Sequence, residues 1–173
     1  MSRSCEPIDR GDLARLARIA RSDRQEFFAE YPRYAPLAGR LICVALCQGA
    51  AQHFVDGTNG VKDFDVWTFF AAHPGDPPFP WRRRKAHVFG DPRFGRPPDK
   101  PGFVGRRVDL LGRSLEPGGE TIPDAILSGY LSEGATPTAR ALSKKAVVLL
   151  EPADRLGAVV WPPAASSLQP DGR

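Results

Sequence analysis

The stretch GAAQHFVDGTNGVKDFDVWTFF, residues 49–70, decides how this chain is read. It opens on Gly49, passes Gly57 and Gly60, and enters an apolar run in which Asp63 and Asp65 flank Phe64. Side chains two residues apart on a strand share a face, so the two carboxylates project together, with about 7 Å between their Cα atoms. Phe64 and Val66 point the other way, into a core. Two carboxylates this close repel each other and lose solvation, and an apolar setting tolerates that charge only with a cation nearby. A hard divalent cation, Mg2+ or Mn2+, suits such an all-oxygen site. A solvated strand edge is the plainer alternative.

Upstream, LICVALC at 41–47 is a continuous apolar run that fits a strand buried on both faces, with a buried helix as the alternative. From Gly49 a short helix is expected to run to Val55 and stop at the glycines. A glycine turn opening a helix presents backbone N–H groups and the positive end of a dipole, which suits a phosphate. Residues 62–70 form the next strand. Downstream, RRVDLL at 106–111 is a third strand, expected to end at Gly112, and Asp109 repeats the buried carboxylate. If that strand lies beside 62–70, three carboxylates converge. Such a set holds two metals roughly 3.5–4 Å apart, the spacing that clamps the attacking and leaving oxygens of phosphoryl transfer. A calcium loop at 56–63 fails as a rival, because Gly60 and Trp67 stand where oxygen ligands are needed.

The order of strand, glycine turn, Asp-x-Asp and a later strand-borne Asp resembles the nucleotidyltransferase superfamily, which includes DNA polymerase beta and the minimal bacterial nucleotidyltransferases of toxin–antitoxin pairs. The resemblance covers residues 41–112. It implies that Asp63, Asp65 and Asp109 bind Mg2+ (or Mn2+) and form the catalytic set, with Asp109 serving as base for the acceptor hydroxyl. It also implies that Gly49 and the backbone after it, at Ala50, hold the phosphates of a nucleoside triphosphate. Lys62, beside Asp63, reads either as a phosphate contact or as a surface lysine screening that carboxylate. Ala50 stands where the family usually has Ser. The implied activity is transfer of a nucleoside monophosphate to an acceptor, whether nucleic acid, protein or small molecule.

The rest of the chain frames this core. Residues 9–30 read as an amphipathic helix, with Leu13, Leu16, Ala17 and Ala20 on one face and Arg15, Arg18 and Arg21 on the other. YPRYAP at 31–36 breaks it. Residues 71–105 are rich in Pro and Gly, with a short strand at 86–89 and a functional or disordered loop as the alternatives for the remainder. Arg82, Arg83, Arg84 and Lys85 follow Trp81 there, and read either as an acceptor-binding cluster of basic and aromatic side chains or as a solvated loop. Two helices are expected next, one from Thr121 to before Gly134, the other from Thr136 through Leu149. Lys144 and Lys145 of the second read either as reaching into a cleft or as exposed on the helix face. A short element ends at Trp161. The expected organisation is one α/β (α+β) domain over 1–161, a small mixed sheet with flanking helices, a helical C-terminal part at 121–161, and a disordered tail at 162–173.

Three cysteines without CxxC spacing argue against a disulfide framework and fit a reducing cytoplasm. The opening residues are polar, so no signal peptide is expected, and no apolar run approaches a membrane span. A net charge of +4 is mild and admits an anionic partner without requiring one. His53 and His87 read as core or surface histidines. The rival to an enzyme is an inactive protein of the same fold that binds nucleic acid or a protein partner, for example within a toxin–antitoxin pair.

Overall fold

The computed structural model describes residues 3–80, 82–90, 93–94 and 104–164, and for 82–85 the backbone alone. Six strands form one mixed sheet: β1 (Leu41–Cys47), β2 (Phe64–Ala71), β3 (Arg82–Val88), β4 (Arg107–Leu115), β5 (Val147–Glu151) and β6 (Val159–Trp161). Their order is β3-β4-β2-β1-β5-β6. The β2–β4 pair is parallel and every other neighbour is antiparallel. The helices are α1 (Arg10–Glu30), α2 (Gln48–Asp56), α3 (Pro123–Glu133) and α4 (Pro137–Leu142), with 3-10 turns at Pro32–Arg40 and Ala153–Arg155. This is an α+β fold.

The apolar patterns explain the layers. Leu13, Leu16, Ala17 and Ala20 of α1 cover one face of the sheet, meeting Val44, Leu46, Phe64, Val66, Val108, Leu110, Val148 and Leu150. Leu127 and Leu131 of α3 and Leu142 of α4 cover the other, over Cys43, Ala45, Cys47, Trp67, Phe69 and Leu149. Covered on both sides, β1 and β5 need uninterrupted apolar sequence, and their runs are buried almost throughout. Each large side chain so buried stabilises the fold by about 1.5–3 kcal/mol. Asp9 starts α1 as half of a capping box: its carboxylate accepts from the Asp12 amide at 2.8 Å while the Asp12 carboxylate accepts from the Asp9 amide at 2.8 Å.

Three expectations are corrected. Gly112 does not end the third strand, which runs on to Leu115. That glycine is needed because the Phe79 ring lies against it, and a Cβ there would sit 2.1 Å from Phe79 Cε1. The second C-terminal helix stops at Leu142, and VVLLE is strand β5, so the C-terminal part holds two helices and also two strands. Its hydrophobic spacing served a doubly covered strand, where every position is buried. The short strand expected at 86–89 begins earlier, at Arg82. The remainder of the Pro/Gly-rich loop at 91–92 and 95–103, together with the tail at 165–173, lies outside the described residues. Among the described residues no helix is long and apolar enough to cross a membrane.

Candidate functional site

Antiparallel pairing brings the C-terminal end of β1 to the N-terminal end of β2, and parallel pairing brings the start of β4 beside it. Cys47 is the register partner of Asp65, and Asp65 of Asp109. The three residues therefore form one row across the sheet, on the face shared with α3 and α4. Asp63 directly precedes β2. The adjacency required for the carboxylates to meet is thus present.

Above this row opens a pocket of about 360 Å3, lined by Arg3, Gln48, Gly49, Ala50, Lys62, Asp63, Asp65, Trp67, Leu111 and Lys145. Its size falls within the range of about 300–1,000 Å3 usual for ligand sites. Helix α2 enters it end-on. Cys47 makes no capping bond, so the N–H groups of the first turn meet no side-chain acceptor from it. Gln48 adopts φ +63, a left-handed conformation that few residues other than glycine take. The methyl of Ala50 packs into the α1-side core, so this residue offers the pocket its backbone alone. Trp67 forms part of the apolar wall.

Asp63 and Asp65 line the pocket, and Asp109 does not. Its Oδ1 instead accepts a hydrogen bond from Arg107 Nε at 2.5 Å. The bond and charge of Asp109 push the Arg107 guanidinium further into its protonated form, and the charges of Asp63 and Asp65 add to this. Arg107 is thus the internal counter-charge of the acidic row. Among the described residues no three His, Cys, Asp or Glu side chains stand close enough to share one metal ion. Asp63 and Asp65 are the carboxylates that line the pocket, and Asp109 is engaged by Arg107.

The loop after α2 is held by His53, which is buried. The Gly60 amide donates to His53 Nδ1 at 3.0 Å, which leaves Nε2 as the protonated nitrogen facing the Glu6 carbonyl at 2.8 Å. His53 is therefore a structural clasp. His87 faces Asp23 at 3.4 Å, away from the pocket. Gly49 permits a close approach, since a Cβ there would lie 2.5 Å from Asn59 Nδ2. Asn59 Nδ2 is itself buried with no hydrogen-bond partner among the described residues. Burial raises the Cys43 thiol to about 12, with the charge of Asp124 adding to it. Burial raises Cys47 as well, followed by the charge of Asp65, so neither thiol serves as a nucleophile.

Of the residues singled out in the sequence, Gly49, Ala50, Lys62, Asp63 and Asp65 come together in one pocket, and Asp109 lies one strand away. Arg82, Arg83, Arg84 and Lys85 form the start of edge strand β3, and their side chains lie outside the described part. Sequence reasoning missed Arg3, Gln48 and Arg107. Lys145 does border the pocket, as one of its two sequence readings has it, but not from a helix. Its place is the turn before β5, where the Ala146 amide donates to Gln52 Oε1 of α2 at 2.9 Å and sets Lys145 beside the pocket. Reading the apolar VVLLE run as a strand would have exposed that turn, whereas nothing in the polar opening residues marks Arg3. Comparison with family models, curated proteins and solved structures finds no match to this chain.

Proposed function

We propose that this protein transfers a nucleoside monophosphate from a nucleoside triphosphate to an acceptor hydroxyl. One observation supports this reading above the others: a single pocket in which the carboxylates of Asp63 and Asp65 face the first turn of α2, Lys62 and Lys145. Asp109 on the neighbouring strand adds a third carboxylate next to Asp65. Asp63 and Asp65 would hold the Mg2+ or Mn2+, which when bound supplies charge neutralisation at the attacking and leaving oxygens. The first-turn amides and the two lysines would bind the phosphate chain. The acceptor oxygen bonds to the α-phosphorus, the bond to the bridging oxygen breaks, and pyrophosphate leaves. The hydroxyl proton goes to the Asp109 carboxylate once Arg107 has moved aside.

Incubation with labelled nucleoside triphosphates and Mg2+ or Mn2+, with cellular nucleic acid and protein fractions as acceptors, tests the reading. Asp65→Asn should abolish the label. Equal labelling by wild type and Asp65→Asn would sink it.

A second reading is favoured by the Arg107–Asp109 ion pair and by Ala50. In that case an arginine has replaced the metal, and the fold serves as a non-catalytic binding module. Steeply salt-dependent nucleic-acid binding, lost on neutralising Arg82, Arg83 and Arg84 and indifferent to Asp63→Asn, would select it.

A further inference from the structure

Arg3 reaches the pocket from a segment that lies 38 positions before the first strand, and it occupies a seat made for it. Ser4 pairs with Val61 in an isolated antiparallel bridge, closed by amide-to-carbonyl bonds of 2.8 and 2.7 Å. The Glu6 carbonyl is clasped by His53 a few residues further on. Two glycines admit the arginine itself. A Cβ on Gly60 would lie 2.9 Å from Arg3 Cβ, and one on Gly49 would lie 3.3 Å from Arg3 Nη1. The stem of Arg3 thus crosses Gly60, and its head stands over the first turn of α2. Its one side-chain bond among the described residues is a long contact to the Asn59 carbonyl, 3.4 Å from Nη1.

This placement gathers positive charge at one pocket. A guanidinium stands at the positive end of a helix, where cations are disfavoured, and Lys62 and Lys145 line the same pocket. Three cations against two carboxylates leave the pocket positive, and a divalent ion on the carboxylates makes it more so. Several anionic oxygens in a row would meet Arg3, Lys62, Lys145 and the first-turn amides at once.

We infer that Arg3 is a polyphosphate-binding residue, and that residues 3–9 are a strap delivering it to the mouth of the pocket. The inference deepens the proposed function and rests on it for the identity of the ligand, the phosphate chain of a nucleoside triphosphate.

Calorimetric titration with inorganic tripolyphosphate, without divalent ions, tests it, with orthophosphate in a parallel arm. Wild type should bind tripolyphosphate in preference to orthophosphate. Arg3→Ala and Arg3→Gln should weaken the binding about tenfold, the worth of a charge-assisted hydrogen bond, at unchanged melting temperature. Arg3→Lys should recover part of the loss. Equal binding by wild type and both neutral variants overturns the inference, as does a wild type that binds neither anion or prefers orthophosphate. If one neutral variant melts early, the other decides. Nucleotidyl transfer fails on its own when no label is incorporated although tripolyphosphate binding remains Arg3-dependent. The strap fails on its own when label is incorporated and Arg3→Ala binds tripolyphosphate like wild type.

Discussion

Glu151 and Asp65 are both strand carboxylates at ends of the same sheet, and their surroundings differ sharply. Glu151 closes β5 beneath α1, and its two oxygens accept from Arg21 at 2.8 Å and Arg24 at 2.9 Å. It is 5% exposed, and its charge is consumed by the fold. Asp65, near the start of β2, lies on the opposite face and borders a cavity with Asp63, while Arg107 is bonded to Asp109 on the neighbouring strand. The lesson is that two strand carboxylates can differ in what encloses them: Glu151 is closed in by two arginines, whereas Asp65 is half-buried and borders a space large enough for a ligand.

The comparison breaks if the two carboxylates respond alike to neutralisation. Glu151→Gln should destabilise the fold by about 3–5 kcal/mol in urea unfolding, because it leaves the largely buried Arg24 guanidinium without its carboxylate. Asp65→Asn should leave stability within about 0.5 kcal/mol of wild type, or raise it by relieving repulsion. A large loss for Asp65→Asn would make that residue structural and undo the contrast.

Next in size is the packing of the strand that carries Asp109. Gly112→Ala forces the Phe79 ring from its place against β4, and the melt should show a loss of about 1–3 kcal/mol typical of overpacking. Unchanged stability would mean that Phe79 moves freely and that β4 is held by its backbone alone. A smaller effect is expected at the counter-charge. Arg107→Ala should strengthen Mn2+ binding about two- to fivefold, as for an exposed ion pair, read by electron paramagnetic resonance of free Mn2+. Weaker binding would show that Arg107 organises the acidic row.

The smallest effect concerns pH. The Asp12 amide, with Arg93 adding its charge, holds the Asp9 carboxyl below its ordinary 3.8. A lowered folded value means that Asp9 contributes its full stabilisation above that pH and loses it as pH falls through the folded value. The gap in melting temperature between wild type and Asp9→Ala should thus be open at neutral pH and close below about pH 4. Asp12 works in the opposite direction, since burial raises it. A gap that persists in acid would mean that Asp9 caps α1 without its charge.

The elements around the pocket were legible because their patterns are local. LICVALC, the α2 glycines and the alternation through Phe64 and Val66 each carry their own periodicity, and the Asp pair follows from it. What stayed hidden depends on register and on distance along the chain. Nothing local states that Asp109 would align with Asp65, or that Arg107 two positions earlier would take its carboxylate. Arg3 and Lys145 reach the pocket through a bridge and a turn whose partners lie more than 50 residues away. The helix expected through Leu149 failed for a related reason: a strand covered on both faces shows no alternation to separate it from a buried helix.

Gln48 carries one more consequence. Its left-handed backbone costs roughly 1–2 kcal/mol relative to glycine, and its side chain borders the pocket. Under selection for heat survival alone, the position should drift to glycine. Under selection that also demands ligand binding, glutamine should persist. A library randomised at this codon and split between those two regimes would turn a backbone torsion into a record of what the pocket is kept for.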